Sequence, residues 1–174
     1  MKISVHTMAV DSFVPMLESL AAMLGKGAAC AAQSKIDLVN ARLAPDMYGL
    51  GKQVELACHF AEDGVQRLLG KPARPAEEKT RSLEELQELI AATVKRLKAT
   101  EPTALEGRET ADCSIPTPAG AVIRMNGLQF LRDWALPHFY FHVVTAYGIL
   151  RNSGVALGKQ DYLSHIESLI NPGK

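Results

Sequence analysis

Asn126–Arg151, NGLQFLRDWALPHFYFHVVTAYGILR, joins helical periodicity to the most closely spaced histidine pair in the chain. Asn126 is a natural N-cap, and the run passes through Leu131 and Trp134 to Pro137, where a missing backbone donor predicts a bend or restart before the helix continues to Arg151. Gly154 is the expected terminator. His138 and His142 stand four apart and project from one helical face. Leu131, Ala135, Thr145, Ala146 and Ile149 share that face, so the imidazoles are expected to point into an interior.

Three further amphipathic segments precede this one. Val10, Phe13, Leu17, Leu20 and Leu24 form a stripe, with a bend expected at Pro15 and continuation through the Ala-rich run to Gln33. Pro45 and Asp46 suit a first helical turn, so a second helix is expected from there to Gly70, about 25 residues long, on the stripe Leu50, Val54, Ala57, Ala61, Val65 and Leu68. Lys71 to Arg81, rich in Pro, Ala and charge, reads as a loop. Ser82 with Glu85 predicts a capping box for a third helix through Leu83, Leu86, Leu89, Ile90, Val94 and Leu97, ending before Pro102.

Ser114 to Arg124, with a Pro-Ala-Gly turn at its centre, predicts a small β-hairpin. Lys159 to Ile170 predicts a last short helix, weakly patterned through Tyr162, Ile166 and Leu169. Four long amphipathic segments must bury their stripes against one another, which predicts an all-α, single-domain four-helix bundle over residues 1–174.

Composition excludes several classes. The 174 residues are 47% apolar and 22% charged, and 19 basic residues balance 19 acidic ones, so no net field draws the chain to nucleic acid or an anionic bilayer. No basic, then apolar leader is evident in Met1 to Asp11, and no segment is expected to reach the about 20 apolar residues of a membrane span, so a cytoplasmic protein is expected. Cys30, Cys58 and Cys113 form no C-x-x-C pair and leave an odd thiol; they read as reduced, with Cys58 a small buried apolar residue. Phosphate-loop, nucleophile-elbow and zinc-protease motifs are not present.

His138 and His142 could ligate one metal ion, or be structural histidines satisfied by backbone or water. His59, in the second helix, is the third candidate: it projects opposite the Val54, Ala57, Ala61 and Val65 stripe, while Leu56 and Phe60 extend apolar character around its flank, leaving both a solvated position and a cleft edge open. His6 and His165 are expected at the surface. Arg42, Asp46, Arg151, Lys159 and Asp161 read as capping and ion-pairing groups.

Asn40-Ala-Arg-Leu-Ala-Pro-Asp-Met47, Pro137-His-Phe-Tyr-Phe-His142, Thr145-Ala-Tyr147, Ile149-Leu-Arg151 and Gly158-Lys-Gln-Asp-Tyr162 together resemble a family of uncharacterised bacterial proteins within the DinB/YfiT-like superfamily. That resemblance spans most of the chain. It implies a divalent metal, Zn, Ni or Mn, held by one histidine of the second helix and an H-x-x-x-H pair of the last, positions that match His59, His138 and His142. Imidazole donors do not select among these metals. It also implies a thiol-dependent transferase or isomerase, with a low-molecular-weight thiol bound at an open metal position. The rival expectation is a non-catalytic helical module for dimerisation or small-ligand capture. A homodimer is expected under either reading.

Overall fold

The computed structural model describes residues 4–72, 79–117 and 119–169, and places the helices where stripe and cap coincide. Helix α1, Val5–Ser34, starts at Ser4, whose side chain accepts from the Thr7 amide, and ends on Lys35 in the left-handed region (φ 55°). It continues through Pro15 and through Gly25 and Gly27. Helix α3, Leu83–Lys98, has the expected Ser82–Glu85 capping box, with Glu84 and Glu85 in its first turn and Lys95, Arg96 and Lys98 in its last, each sign favourable to the helix dipole.

Helix α2 matches its apolar stripe but is shorter than the start signal at Pro45 suggests. It spans Leu50–Leu68 rather than starting at Pro45, and Gly49 is its N-cap. Backbone bonds from Leu50 N to Ala41 O (2.9 Å) and from Gly51 N to Val39 O (3.0 Å) fasten the helix start to the preceding loop. The first two donors of the helix are thus satisfied by Ala41 and Val39, and Pro45 and Asp46 serve a separate turn closed by Met47 N to Ala44 O.

After the 3₁₀ turns Pro102–Leu105 and Arg108–Thr110, strands β1 (Ile115–Pro116) and β2 (Val122–Ile123) pair antiparallel, with Ile115 opposite Ile123. The hairpin is as expected; Pro118 of its turn lies outside the described residues, as do residues 73–78 of the loop before α3. Asn126 caps α4, Gly127–Phe130, in a capping box with Gln129. A π-helical turn, Leu131–Ala135, follows, closed by Leu136 N to Leu131 O, and leads directly into α5, Leu136–Asn152. The widened turn is how this helix absorbs Pro137, which cannot donate to a carbonyl four residues back. Gly154, at φ 86°, ends the run. The last segment is a short α6, Lys159–Tyr162, followed by a 3₁₀ stretch Ser164–Leu169; Ile166 and Leu169 are exposed, which accounts for the weak pattern there.

The four long helices form a bundle in which α2 packs most extensively on α5, α3 touches both α1 and α2, and α1 closes the ring against α5. Phe13, Leu17, Leu20, Val54, Ala57, Leu86, Ile90, Phe139, Ala146 and Ile149 are buried together. One expectation is corrected: α1 is long and apolar enough to cross a membrane by length and composition. Its apolar surface is largely turned inward, 56% of the residues in its most apolar window being buried by the rest of the bundle. Cys58 is buried and burial pushes its thiol up to about 12, against a side-chain hydrogen bond with Thr93 that pulls the other way, so it is a packing residue.

Gly127 lets the last helical run sit against the turn at Arg108. A Cβ there would lie 2.0 Å from the Arg108 carbonyl oxygen, which is backbone and cannot swing aside. Helix propensity alone would make Gly127→Ala stabilising by about 1 kcal/mol. The expected outcome is the opposite sign, a loss on the order of 2 kcal/mol in urea unfolding; a neutral or raised midpoint would mean the approach of these segments is unimportant.

Candidate functional site: a histidine and aromatic cluster

The α2–α5 contact brings His59, His138 and His142 around a single ring, Phe60. Phe60 stacks on His138 (centroids 4.7 Å apart, planes at 26°) and on His142 (5.4 Å, 10°), and meets His59 edge-on at 5.4 Å. Trp134, one turn before His138, lies 4.4 Å from that imidazole. His142 is buried and His59 and His138 are half-buried. The expected inward face is observed, with Leu131, Ala135, Thr145, Ala146 and Ile149 all buried.

Each α5 imidazole is held by its Nδ1. In His142 that nitrogen is 2.8 Å from Oε1 of the buried Gln53, whose Nε2 donates to the Tyr48 carbonyl at 3.2 Å. Because that amide nitrogen is engaged on a carbonyl, the amide oxygen faces His142 and the imidazole Nδ1–H donates to it. In His138, Nδ1 donates to the Trp134 carbonyl at 2.8 Å. The proton therefore resides on Nδ1 in both rings, and the lone pair of Nε2 is what each presents. Anchoring the second ring nitrogen is how proteins fix metal-ligating histidines.

Burial, followed by the neighbouring His138 and His59, pushes His142 down to about 4 from the ordinary 6.5. His59 is also lowered, chiefly by burial; Asp63 and Glu62 oppose this, and Arg67 and Lys52 reinforce it. On the turn after His59, Asp63 directs Oδ2 to Arg67 (2.7 Å), while its Oδ1 is buried without a protein hydrogen-bond partner.

The divalent metal implied by the resemblance meets a mixed setting. Neutral imidazoles with anchored Nδ1 and available Nε2 suit a divalent ion in donor chemistry, and a buried, unpartnered carboxylate oxygen lies next in line to His59. As placed, however, no three His, Cys, Asp or Glu side chains among the described residues are grouped so that they could hold one ion. The three histidines are gathered by a phenyl ring.

Gln53, Phe60 and Trp134 were not singled out by the sequence analysis. Gln53 did leave a signal, a polar residue one turn before Ala57 on a buried helix face. Phe60 left none beyond its apolar character. The surface expectation for His6 and His165 is corrected: both are partly buried, and His6 Nε2 is 3.0 Å from the Thr100 carbonyl oxygen.

The model of a domain of unknown function, DUF1993, matches residues 5–163. The chain belongs to the DUF1993 family. A crystal structure of a DinB family member protein from Shewanella denitrificans is 35% identical and superimposes with a TM-score of 0.83, covering 97% of this chain and 94% of that one. The bundle is thus DinB-like, as the motifs around Pro137–His142 and Asn40–Met47 implied. No curated protein is significantly similar to the chain.

The neutral, buried His142 makes stability pH-dependent. Its pKa is lower in the folded chain than in the unfolded one, so at pH values between 6.5 and about 4 the unfolded state takes up the proton and the folded state does not. This contribution is fully present above pH 6.5 and is lost as pH falls toward about 4, by roughly 3 kcal/mol at most. His142→Asn keeps a donor for Gln53 without a titrating group. Urea unfolding across that pH range should show a shallower slope for the variant; parallel slopes would show that His142 titrates alike in both states.

Proposed function

We propose that this DUF1993 protein is a divalent-metal-binding enzyme in which His138 and His142 are the primary donors and His59 the third. The observation that carries this reading is the anchoring of both α5 imidazoles through Nδ1, which leaves two Nε2 lone pairs on one helical face. The depressed pKa of His142 discriminates between chemistries: a group near pKa 4 is a poor proton acceptor at neutral pH, yet as a neutral imidazole it meets little competition from protons for a metal. Electron-pair donation to a metal therefore suits His142 better than general base catalysis.

A bound Zn, Ni or Mn ion would supply Lewis acidity and favour a low-molecular-weight thiol as its thiolate. This chain's own residues orient the donors: Gln53 fixes the His142 ring and the Trp134 carbonyl fixes His138. Phe60 covers both imidazole faces and keeps the surroundings apolar. Transfer of a group to or from a thiol is the reaction class that follows.

One observation favours a second reading, a non-catalytic bundle that dimerises or captures a small ligand. Phe60 is in stacking contact with both α5 imidazoles, and no three-donor group is present among the described residues. In that reading the histidines fasten α5 to α2 and nothing more.

Elemental analysis of untagged protein, before and after incubation with Zn, Ni or Mn and removal of excess metal, separates the two. The expected result is about one ion per chain, lost in His142→Ala while circular dichroism shows a retained helical fold. Metal content that is negligible in the parent chain, or unchanged in the variant, would leave the metal-free module as the function, with sedimentation analysis then testing for the dimer.

A further inference from the structure

Helix α5 carries the histidine pair toward the bundle interior, and its outer face breaks the usual pattern. From Leu136 to Leu150 there is no Asp, Glu, Lys or Arg. A helix on the outside of a bundle ordinarily turns charge to water. Helix α1 does so with Asp11, Glu18 and Lys26, and α3 with Glu84, Glu88 and Lys95, all exposed. Helix α5 instead turns out Phe141, 58% exposed, and Val144, 50% exposed, with Pro137 on the same stripe. Leu43, 46% exposed, continues this surface from the loop before α2, since a Cβ added to Gly148 would meet its Cδ1 at 3.4 Å. A contiguous apolar surface of this kind marks a contact with something other than water.

Beside Val144 the surface dips into a hollow of about 170 Å³ lined by Val144, Tyr147, Lys159 and Tyr162. The rings of Tyr147 and Tyr162 frame it, 6.2 Å apart with their planes at 62°. Its α6 wall is fixed in place, because Lys26 of α1 pairs with Asp161 (2.5 Å) and Ser19 Oγ shares a 2.8 Å hydrogen bond with Ser164 Oγ. The Lys159 ammonium has no hydrogen-bond or ion-pair partner among the described residues. Tyr147, Lys159 and Tyr162 belong to the Thr145–Tyr147 and Gly158–Tyr162 motifs, which the histidine cluster does not use.

The hollow suits a phenyl ring in size and in chemistry. An apolar cavity of about 150 Å³ takes up a benzene molecule. Tyrosine walls offer edge contacts to a ring, and the Lys159 ammonium offers a cation–π contact to its face. The chain itself displays such a ring one turn away: Phe141 meets His142 edge-on at 5.3 Å, and more than half of it is open to water. A surface that carries both a protruding ring and a socket for one can pair with a second copy of itself about a two-fold axis. Near that axis a charged residue would meet its own copy, and α5 places none there.

We infer that this chain forms a symmetric dimer across the outer face of α5, with Phe141 of each copy seated in the hollow of the other against Tyr147, Tyr162 and Lys159. The interface goes beyond the proposed metal chemistry and holds whether or not the histidines take a metal, because His142 is buried on the inner side of the same helix.

Sedimentation velocity on untagged, chelator-treated full chain, from about 1 to 200 μM, tests it. The expected result is a monomer–dimer equilibrium with a Kd of about 10 μM or tighter, weakened at least about 100-fold in Phe141→Glu and in Val144→Glu. Val122→Glu, at a comparably exposed position on the β-hairpin, leaves it unchanged. Both α5 sites are exposed, so circular dichroism should show the helical fold retained in the variants. In a mixture of isotopically labelled and unlabelled chains, intermolecular NOEs should join the Phe141 ring to the Val144 methyls. A parent chain that stays monomeric throughout overturns the assignment, as does a dimer indifferent to both α5 substitutions or lacking those NOEs. A monomer that instead binds phosphatidylglycerol vesicles, and loses them in Phe141→Glu, gives the face to a lipid surface and overturns it too. Because metal is removed beforehand, each outcome is independent of the histidine site.

Discussion

The hydrogen bond from His142 Nδ1 to Gln53 Oε1 crosses the most extensive helix contact in the molecule, α2 against α5, and both partners are buried. A polar group in such a position must be satisfied, because an unpaired donor or acceptor there costs about 1–3 kcal/mol. The bond therefore selects one rotation of α5 relative to α2. It places His138 and Phe60 face to face, and it draws the Tyr48 carbonyl, through Gln53 Nε2, toward the start of α2. Non-directional packing of Leu and Ala could tolerate several registers of these helices; this bond distinguishes among them.

The same constraint explains why local cues served parts of the fold well and others poorly. Ser82 with Glu85, Asn126, Pro137 and Gly154 act within a few residues of themselves, so the capping box, the cap of the last run, its restart and its end were all legible in the sequence. The start of α2 was not, because Pro45 carries a valid helix-start signal that loses to two bonds reaching back to Val39 and Ala41. Such bonds depend on where a loop folds, and periodicity has no access to that. The apolarity of α1 was likewise underestimated, since its small residues count toward hydropathy while drawing little notice in a stripe of Leu and Phe.

At the site, a helical projection gave the face of His138 and His142 correctly, since the face depends only on spacing along one helix. It could not say what faces them from α2. His59 and Phe60 are adjacent and project about 100° apart, so a modest rotation of α2 decides whether an imidazole or a phenyl ring meets the α5 pair. In this fold Phe60 stacks on both α5 imidazoles, while His59 meets Phe60 edge-on.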